Sequence, residues 1–316
     1  MKAFLFRARM ALKRANYWLI AQAAFAAMRA LQLLPPERAL AFADRFARRF
    51  GPWFGRHRTA LDNLRQAYPE KSEAEIEKIA SDMWGNMARL AAEYIFLDQL
   101  FDFEPGKPVG RVEVIGEKIF ERIAGENRPH ILFTGHLGNF ELLPVAAAAY
   151  GLKVTAMFRP PNNPYLADKV MATRKATMGS LIASRAGAAF SLASILDNGG
   201  NIGVLVDQKF SRGLPTTFFG RECQTNPVLP KLARQFDCDV YAARSTRLPG
   251  NRFRLEIEEK LVLPREADGR VDVVATAQLL NDTVERWVRE DPGQWMWFHK
   301  RWQSNRPPRV PRRKPQ

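Results

Sequence analysis

The sequence predicts an α/β fold: a central, mostly parallel sheet flanked by helices, preceded by a helical N-terminal region that includes a membrane-associated helix. Two observations carry this. From Val112 onward, short apolar runs alternate with segments of helical periodicity, the order that builds a parallel sheet with crossover helices. Before that point nearly everything reads as helix. With 316 residues, 46% hydrophobic and 26% charged, the chain can bury a large core without disulfide staples.

The first element is the apolar run Ala15 to Leu34. It is long enough to cross a bilayer. However, Gln22, Arg29 and Gln32 interrupt it on one side, and a mid-helix Arg is costly in hydrocarbon. A helix lying in the membrane interface fits better than a spanning one or a cleaved signal peptide, with Lys2, Arg7, Arg9, Lys13 and Arg14 held on the cytoplasmic side. An ordinary buried amphipathic helix is the alternative. Pro35-Pro36 ends the run, and a short amphipathic helix, Glu37 to Phe50, follows. Arg58 to Ala67 reads as helix and stops at Tyr68-Pro69. Ser72 and Glu75 form a capping box for a helix running to about Phe96.

Val112 to Ile115 then reads as strand and Lys118 to Ala124 as helix. Ile131 to Phe133 reads as a buried strand, and Gly138-Asn139 supplies turn and cap chemistry for the next helix. Lys153 to Phe158 is a strand, Leu166 to Met178 a basic helix, Ser191 to Asp197 a short helix and Ile202 to Val206 a strand. Later strands are Val240 to Arg247 and Arg252 to Glu258, and Gln278 to Glu290 is the final helix. The organisation is residues 1–50 as membrane-associated helices, 51–304 as an α/β domain with a helical lead-in, and 305–316 as a basic Pro-rich tail.

The formal net charge of +15 calls for an anionic partner: nucleic acid, an anionic membrane or an acidic substrate. Basic residues gather at both ends of the chain, which suits a membrane surface. Cys223 and Cys238 are the only cysteines, with no Cys/His cluster near them. A reducing compartment follows, and neither a zinc site nor any other metal or cofactor is expected.

The chemistry concentrates in ILFTGHLGNFE, Ile131 to Glu141. His136 falls in a strand-to-helix loop and Glu141 in the first helical turn, where a carboxylate is favoured and can reach back toward the imidazole. That pair suits a general base whose tautomer a carboxylate fixes. The plainer reading makes one a turn residue and the other a helix-start residue. Asp207 and Gln208 end the strand of VLVDQ, where sites form in α/β sheets. Asp207 is either a second carboxylate for His136 or a structural cap. Arg159, in FRPPNNP, and Arg174 can pair with phosphate or stand solvated. The Gly213 to Gly220 segment lines an acyl channel or forms an apolar hairpin. QWMWFHKRW, Gln294 to Trp302, suits a membrane interface or closes the core. His299 within it has no carboxylate nearby in sequence and reads as structural.

No GxSxG elbow, P-loop or dinucleotide fingerprint is present. A His-carboxylate pair without its own nucleophile points to a nucleophile supplied by the substrate, such as a lipid alcohol attacking an activated acyl group.

Taken together, these blocks resemble the lipid A biosynthesis acyltransferases of the late, lauroyl/myristoyl type, within the lysophospholipid acyltransferase superfamily and its His-x4-Asp/Glu signature. Here the signature is His136 to Glu141, and NLRQAYPE at Asn63, the FRP…NP loop, Thr173-Arg174, VLVDQ and QWMWFHKRW accompany it. The resemblance implies an enzyme on the cytoplasmic face of the inner membrane. It would move a fatty acyl chain from acyl carrier protein to a hydroxyl of a lipid A precursor, with no covalent intermediate. His136 would be the base and Glu141 its orienting carboxylate, Asp207 a further catalytic position, and Arg159, Arg174, Asn139 and Gln208 substrate-binding. The oxyanion would be met by backbone N–H groups near Gly138-Asn139 or by a nearby cation. Expected partners are acyl carrier protein, the lipid A precursor and anionic inner-membrane lipids, not nucleic acid. The alternatives are an acyl-CoA-dependent glycolipid or lysophospholipid acyltransferase, and a basic membrane- or nucleic-acid-binding protein without turnover.

Overall fold

The computed structural model describes residues 2–107, 110–177, 180–184 and 187–302; side chains at 2–4, 98, 170 and 172–177 lie outside that description. The expected 305–316 tail therefore also lies outside it. Five helices come first: α1 (Lys2–Gln32), α2 (Pro36–Phe50), α3 (Arg56–Ala67), α4 (Glu73–Glu93) and the single turn α5 (Leu97–Leu100). α1 begins well before the apolar run, because the basic residues ahead of it are good helix formers and continue the same helix. Pro36 sits in the first turn of α2, where its missing N–H costs nothing. The Ser72 capping box on α4 forms in both directions, with the Ser72 N–H donating to Glu75 Oε2 at 2.9 Å and the Glu75 N–H to Ser72 Oγ at 3.4 Å.

The α/β region runs β1 (Val112–Ile115), α6 (Glu117–Gly125), β2 (His130–Thr134), α7 (Leu142–Ala149), β3 (Val154–Phe158), α8 (Pro164–Thr177), β4 (Ser180–Ala183), α9 (Ala188–Asp197) and β5 (Asn201–Leu205). A hairpin follows, β6 (Leu214–Phe218) and β7 (Arg221–Thr225), then α10 (Val228–Gln235), β8 (Asp239–Leu248), β9 (Arg252–Ile257) and α11 (Val273–Glu290). Seven strands form one sheet in the order β1-β9-β8-β2-β5-β3-β4. All neighbours are parallel except β8 and β9. The sheet is therefore mostly parallel, as the alternating pattern predicts. Gly213 to Gly220 resolves as the turn and first strand of the antiparallel hairpin.

Both sheet faces are covered, which explains why the central strands are continuous apolar runs rather than alternating ones. Ile131 and Phe133 of β2 point into a core shared with α3, α4, α9, α10 and α11, whereas Leu132 points to the opposite face against α6 and α7. Trp295, Trp297 and Trp302 are buried in the first of these cores. The membrane-interface reading of that aromatic block is thereby corrected. Its charged member Arg301 is fully buried, donating to Thr225 Oγ1 at 2.8 Å and Asn281 Oδ1 at 2.9 Å.

Among the described residues, no helix is long and apolar enough to cross a membrane. α1 instead leaves Leu5, Phe6, Leu12, Trp18, Leu19 and Ile20 exposed, and α2 leaves Phe42 and Phe46 exposed. Polar contacts tie the N-terminal helices to the sheet domain, two of them at α1 and α4. Asn163 Nδ2, ahead of α8, donates to the Tyr17 carbonyl at 2.7 Å. Glu93 of α4 forms a buried bidentate ion pair with Arg247 of β8, the second contact being 3.0 Å.

Candidate active site

Strand register builds the site. β2 and β5 are parallel neighbours with Thr134 opposite Leu205, and the Val206 N–H continues the ladder to the Thr134 carbonyl at 3.1 Å. Two residues beyond that level, the chain places His136 opposite Asp207 at the carboxyl end of the sheet. His136 Nδ1 lies 2.7 Å from Asp207 Oδ1, and the His136 backbone N–H donates to Asp207 Oδ2 at 2.8 Å. The indole N–H of Trp295 donates to the same Oδ2 at 2.7 Å. On the far side of the ring, the Gln208 carboxamide donates to His136 Nε2 at 3.0 Å. Phe140 packs its edge against the ring, with centroids 5.0 Å apart.

Asp207 is thus the carboxylate on the imidazole, and the pairing of His136 with Glu141 is corrected. Four residues along a tight loop turn Glu141 onto the start of α7, whereas parallel pairing aligns Asp207 directly with His136. Glu141 is buried and reaches the cavity wall, and its own N–H donates to Asn139 Oδ1 at 3.2 Å. Asn139 is not in that wall: it is buried, and its amide donates to Glu93 Oε2 at 2.8 Å. The substrate-binding expectation for Asn139 gives way to a clamp holding the loop on α4. Of the backbone N–H groups expected near Gly138-Asn139 to meet an oxyanion, that of Gly138 is engaged by the Gln294 carbonyl at 3.2 Å. Gly138 has φ +53, and a Cβ there would lie 2.2 Å from the Ser245 carbonyl oxygen, so only glycine lets the loop sit this close to β8.

A cavity of about 650 Å³ opens beside His136 Nε2, within the usual size for small-molecule sites. Leu132, Leu143, Ala156, Met157 and Leu181 make it apolar at depth, while Arg159, Gln208 and Lys209 supply polar groups. Arg159 is exposed. Arg174 lies on α8, but its side chain falls outside the described residues. Sequence reasoning missed Trp295 as a donor to Asp207, and Glu93 and Arg247 as the support for Asn139. These partners are far apart in the chain, so no local pattern signals them.

One cluster among the described residues could hold a metal ion: Glu126, His130 and Asp239, with donor atoms within 4.8 Å of one another. It sits at the opposite end of β2 from His136. Both ring nitrogens of His130 are engaged, by Asn201 Oδ1 and Glu126 Oε2 at 2.9 Å each, and Asp239 pairs with Arg128 and Lys260. The cluster reads as an internally neutralised ion-pair group.

Burial alone would raise the Asp207 carboxyl, but the His136 charge, hydrogen bonds from its ring and backbone, and the Trp295 indole hold it well below the ordinary carboxylate range. A group lowered in the folded state stabilises above its unfolded value and loses that contribution as pH falls. Asp207→Asn is expected to cost about 1–3 kcal/mol at neutral pH. The gap to the parent should shrink as pH falls below about 4. Urea unfolding of both proteins across that range checks this; a gap that widens in acid contradicts it.

The site can take a proton at Nε2, hold the resulting imidazolium on Asp207, and admit an apolar chain. Residues 7–304 match the profile of the bacterial lipid A biosynthesis acyltransferases. The chain is 27% identical over 296 residues to the lipid A biosynthesis myristoyltransferase of Escherichia coli K12, covering 90% of this chain and 87% of that protein. It is 27% identical over 296 residues to lipid A biosynthesis acyltransferase 1 of Shigella flexneri. It is 26% identical over 266 residues to the lipid A biosynthesis lauroyltransferase of Escherichia coli K12, covering 79% and 80% of the two chains. With the profile spanning nearly the whole sequence, the chain belongs to the bacterial lipid A biosynthesis acyltransferase family.

Proposed function

We propose that this acyltransferase moves a fatty acyl chain from acyl carrier protein to a hydroxyl of a lipid A precursor, with His136 as general base and no covalent intermediate. The observation that carries this reading is the Asp207–His136 pair facing an apolar cavity through Nε2. In this mechanism the acceptor hydroxyl displaces the Gln208 amide from Nε2 and gives its proton there. The alkoxide oxygen attacks the thioester carbonyl, Asp207 offsets the imidazolium charge, and the tetrahedral species expels the pantetheine thiolate. That thiolate takes the proton back from His136, so the base is restored. The acyl chain lies along Met157 and Leu181, and Arg159 and Arg174 meet phosphate on the acceptor or the carrier. Glu141 stands in the cavity wall, where it meets substrate.

The protein works at the cytoplasmic face of the inner membrane. The exposed apolar side chains of α1 and α2 support membrane association, since exposed apolar groups on a basic protein suit an anionic bilayer. The net charge of +15 also suits acidic acyl carrier protein. The test supplies purified protein with one acyl chain carried by acyl carrier protein or by coenzyme A, and with lipid A precursor, lysophospholipid or glycolipid as acceptor. Ester formation is expected from the carrier protein to the lipid A precursor, with kcat/KM about tenfold or more above the coenzyme A donor, the gain of one extra docking contact worth about 1.4 kcal/mol. Preference for coenzyme A and a different acceptor would replace this reading. Salt-sensitive binding with no turnover would remove it.

A further inference from the structure

The cavity beside His136 holds a second imidazole that the mechanism above does not use. His299 lines the same cavity, and its Nδ1 is buried with no hydrogen-bond partner among the described residues. A buried lone pair without a partner costs less than a buried unpaired N–H, so the ring's proton belongs on Nε2. The backbone there is fixed. Asn63 Nδ2 donates to the carbonyls of Trp297 and His299 at 2.8 Å each, and the Arg301 N–H donates to the His299 carbonyl at 2.9 Å. Trp84 stacks on the adjacent Phe298 with centroids 5.4 Å apart.

Burial pushes the imidazole of His299 below its ordinary value, with the charges of His136, Arg56 and Arg159 acting the same way and Asp207 opposing them. At neutral pH the ring is therefore uncharged, and it shares the cavity wall with His136. Several N–H groups of the loop are already engaged. The N–H groups of His136, Leu137, Gly138 and Glu141 donate to Asp207, Gly135, Gln294 and Asn139 respectively.

We propose that His299 is a catalytic residue, the oxyanion donor, whose Nε2–H meets the thioester carbonyl oxygen as it gains negative charge. The proton stays on His299 throughout, and no bond to it forms or breaks; His136 alone carries the transferred proton. The inference rests on the acyl-transfer reading above.

The test uses the full chain, acyl carrier protein thioester and lipid A precursor. His299→Ala is expected to lower kcat about 10²–10³-fold, as loss of one preorganised oxyanion donor does, with KM within about threefold. His299→Gln places an amide N–H near the position of Nε2 and should recover about tenfold or more over His299→Ala, a part of that loss. His299→Phe keeps ring shape without a donor and should behave as His299→Ala. Parent protein without transfer would sink the underlying reading. Parent activity with an undiminished Phe or Ala variant would overturn the assignment of His299 alone. Equal losses in the Gln and Phe variants, a change confined to KM, or failure of all three variants to fold would also overturn it.

Discussion

His136→Ala is expected to lower acyl transfer by about 10²–10⁴-fold, the usual contribution of a positioned general base. Its fold should persist, because the loop does not depend on the imidazole. Asp207 keeps the backbone N–H of residue 136 and the Trp295 indole, Asn139 keeps Glu93, and Gly138 keeps Gln294. The ring itself is nearly buried, with its side chain 11% exposed, and the space it leaves adjoins an existing cavity. Steady-state transfer measured beside circular dichroism and a melting curve checks both halves. Near-normal transfer would end the general-base mechanism, and an unfolded variant would make His136 a structural residue first.

The largest loss of stability is expected from Glu93→Ala. Glu93 and Arg247 are buried as a bidentate pair, with side chains 1% and 7% exposed. Arg247 also donates to Asn86 Oδ1 at 3.0 Å and stacks over Phe253. Removing the carboxylate strands a guanidinium away from water and takes the anchor from Asn139. Breaking one partner of such a pair typically costs about 3–5 kcal/mol, much of it the penalty of the orphaned charge. Glu93→Ala should therefore unfold at markedly lower urea concentration. The double variant Glu93→Ala/Arg247→Met should recover part of the difference, since no charge is left behind. Equal stability of the single and double variants would show that the pair contributes little. Because Glu93 holds Asn139 and hence the His136 loop, transfer should fall in the single variant even where it remains folded.

The elements that could be read from sequence are those whose cause is local. The Ser72 capping box, the apolar strands at Val112, Ile131 and Ile202, and the alternation that makes the sheet parallel all reside in a few neighbouring residues. The imidazole proposed as the base was legible for the same reason, being set in a loop after a buried strand. Its partner was not. Glu141 is near His136 in the chain, but strand register, a property of two distant segments, delivers Asp207 instead. Asn139 reads as a polar loop residue facing substrate until α4 and β8 are seen to meet behind it. α10 escaped because Val228–Gln235 is short and follows Pro227, a position that locally signals a turn. The aromatic block at Trp295 offered two environments of similar composition, and only tertiary packing distinguishes a core from an interface.

Residues 295–302 complete the core after every strand of the sheet has been made. Until they leave the ribosome, Asp207 lacks its indole donor, Phe218 and Phe219 lack their aromatic cover, and Thr225 and Asn281 await Arg301. A nascent chain stalled before Trp302 would carry an assembled sheet with one greasy flank open, the kind of surface that chaperones hold and that aggregates when they do not. Strand register brings His136 and Asp207 together on its own, and the tryptophans that follow act as a seal over a pair already made.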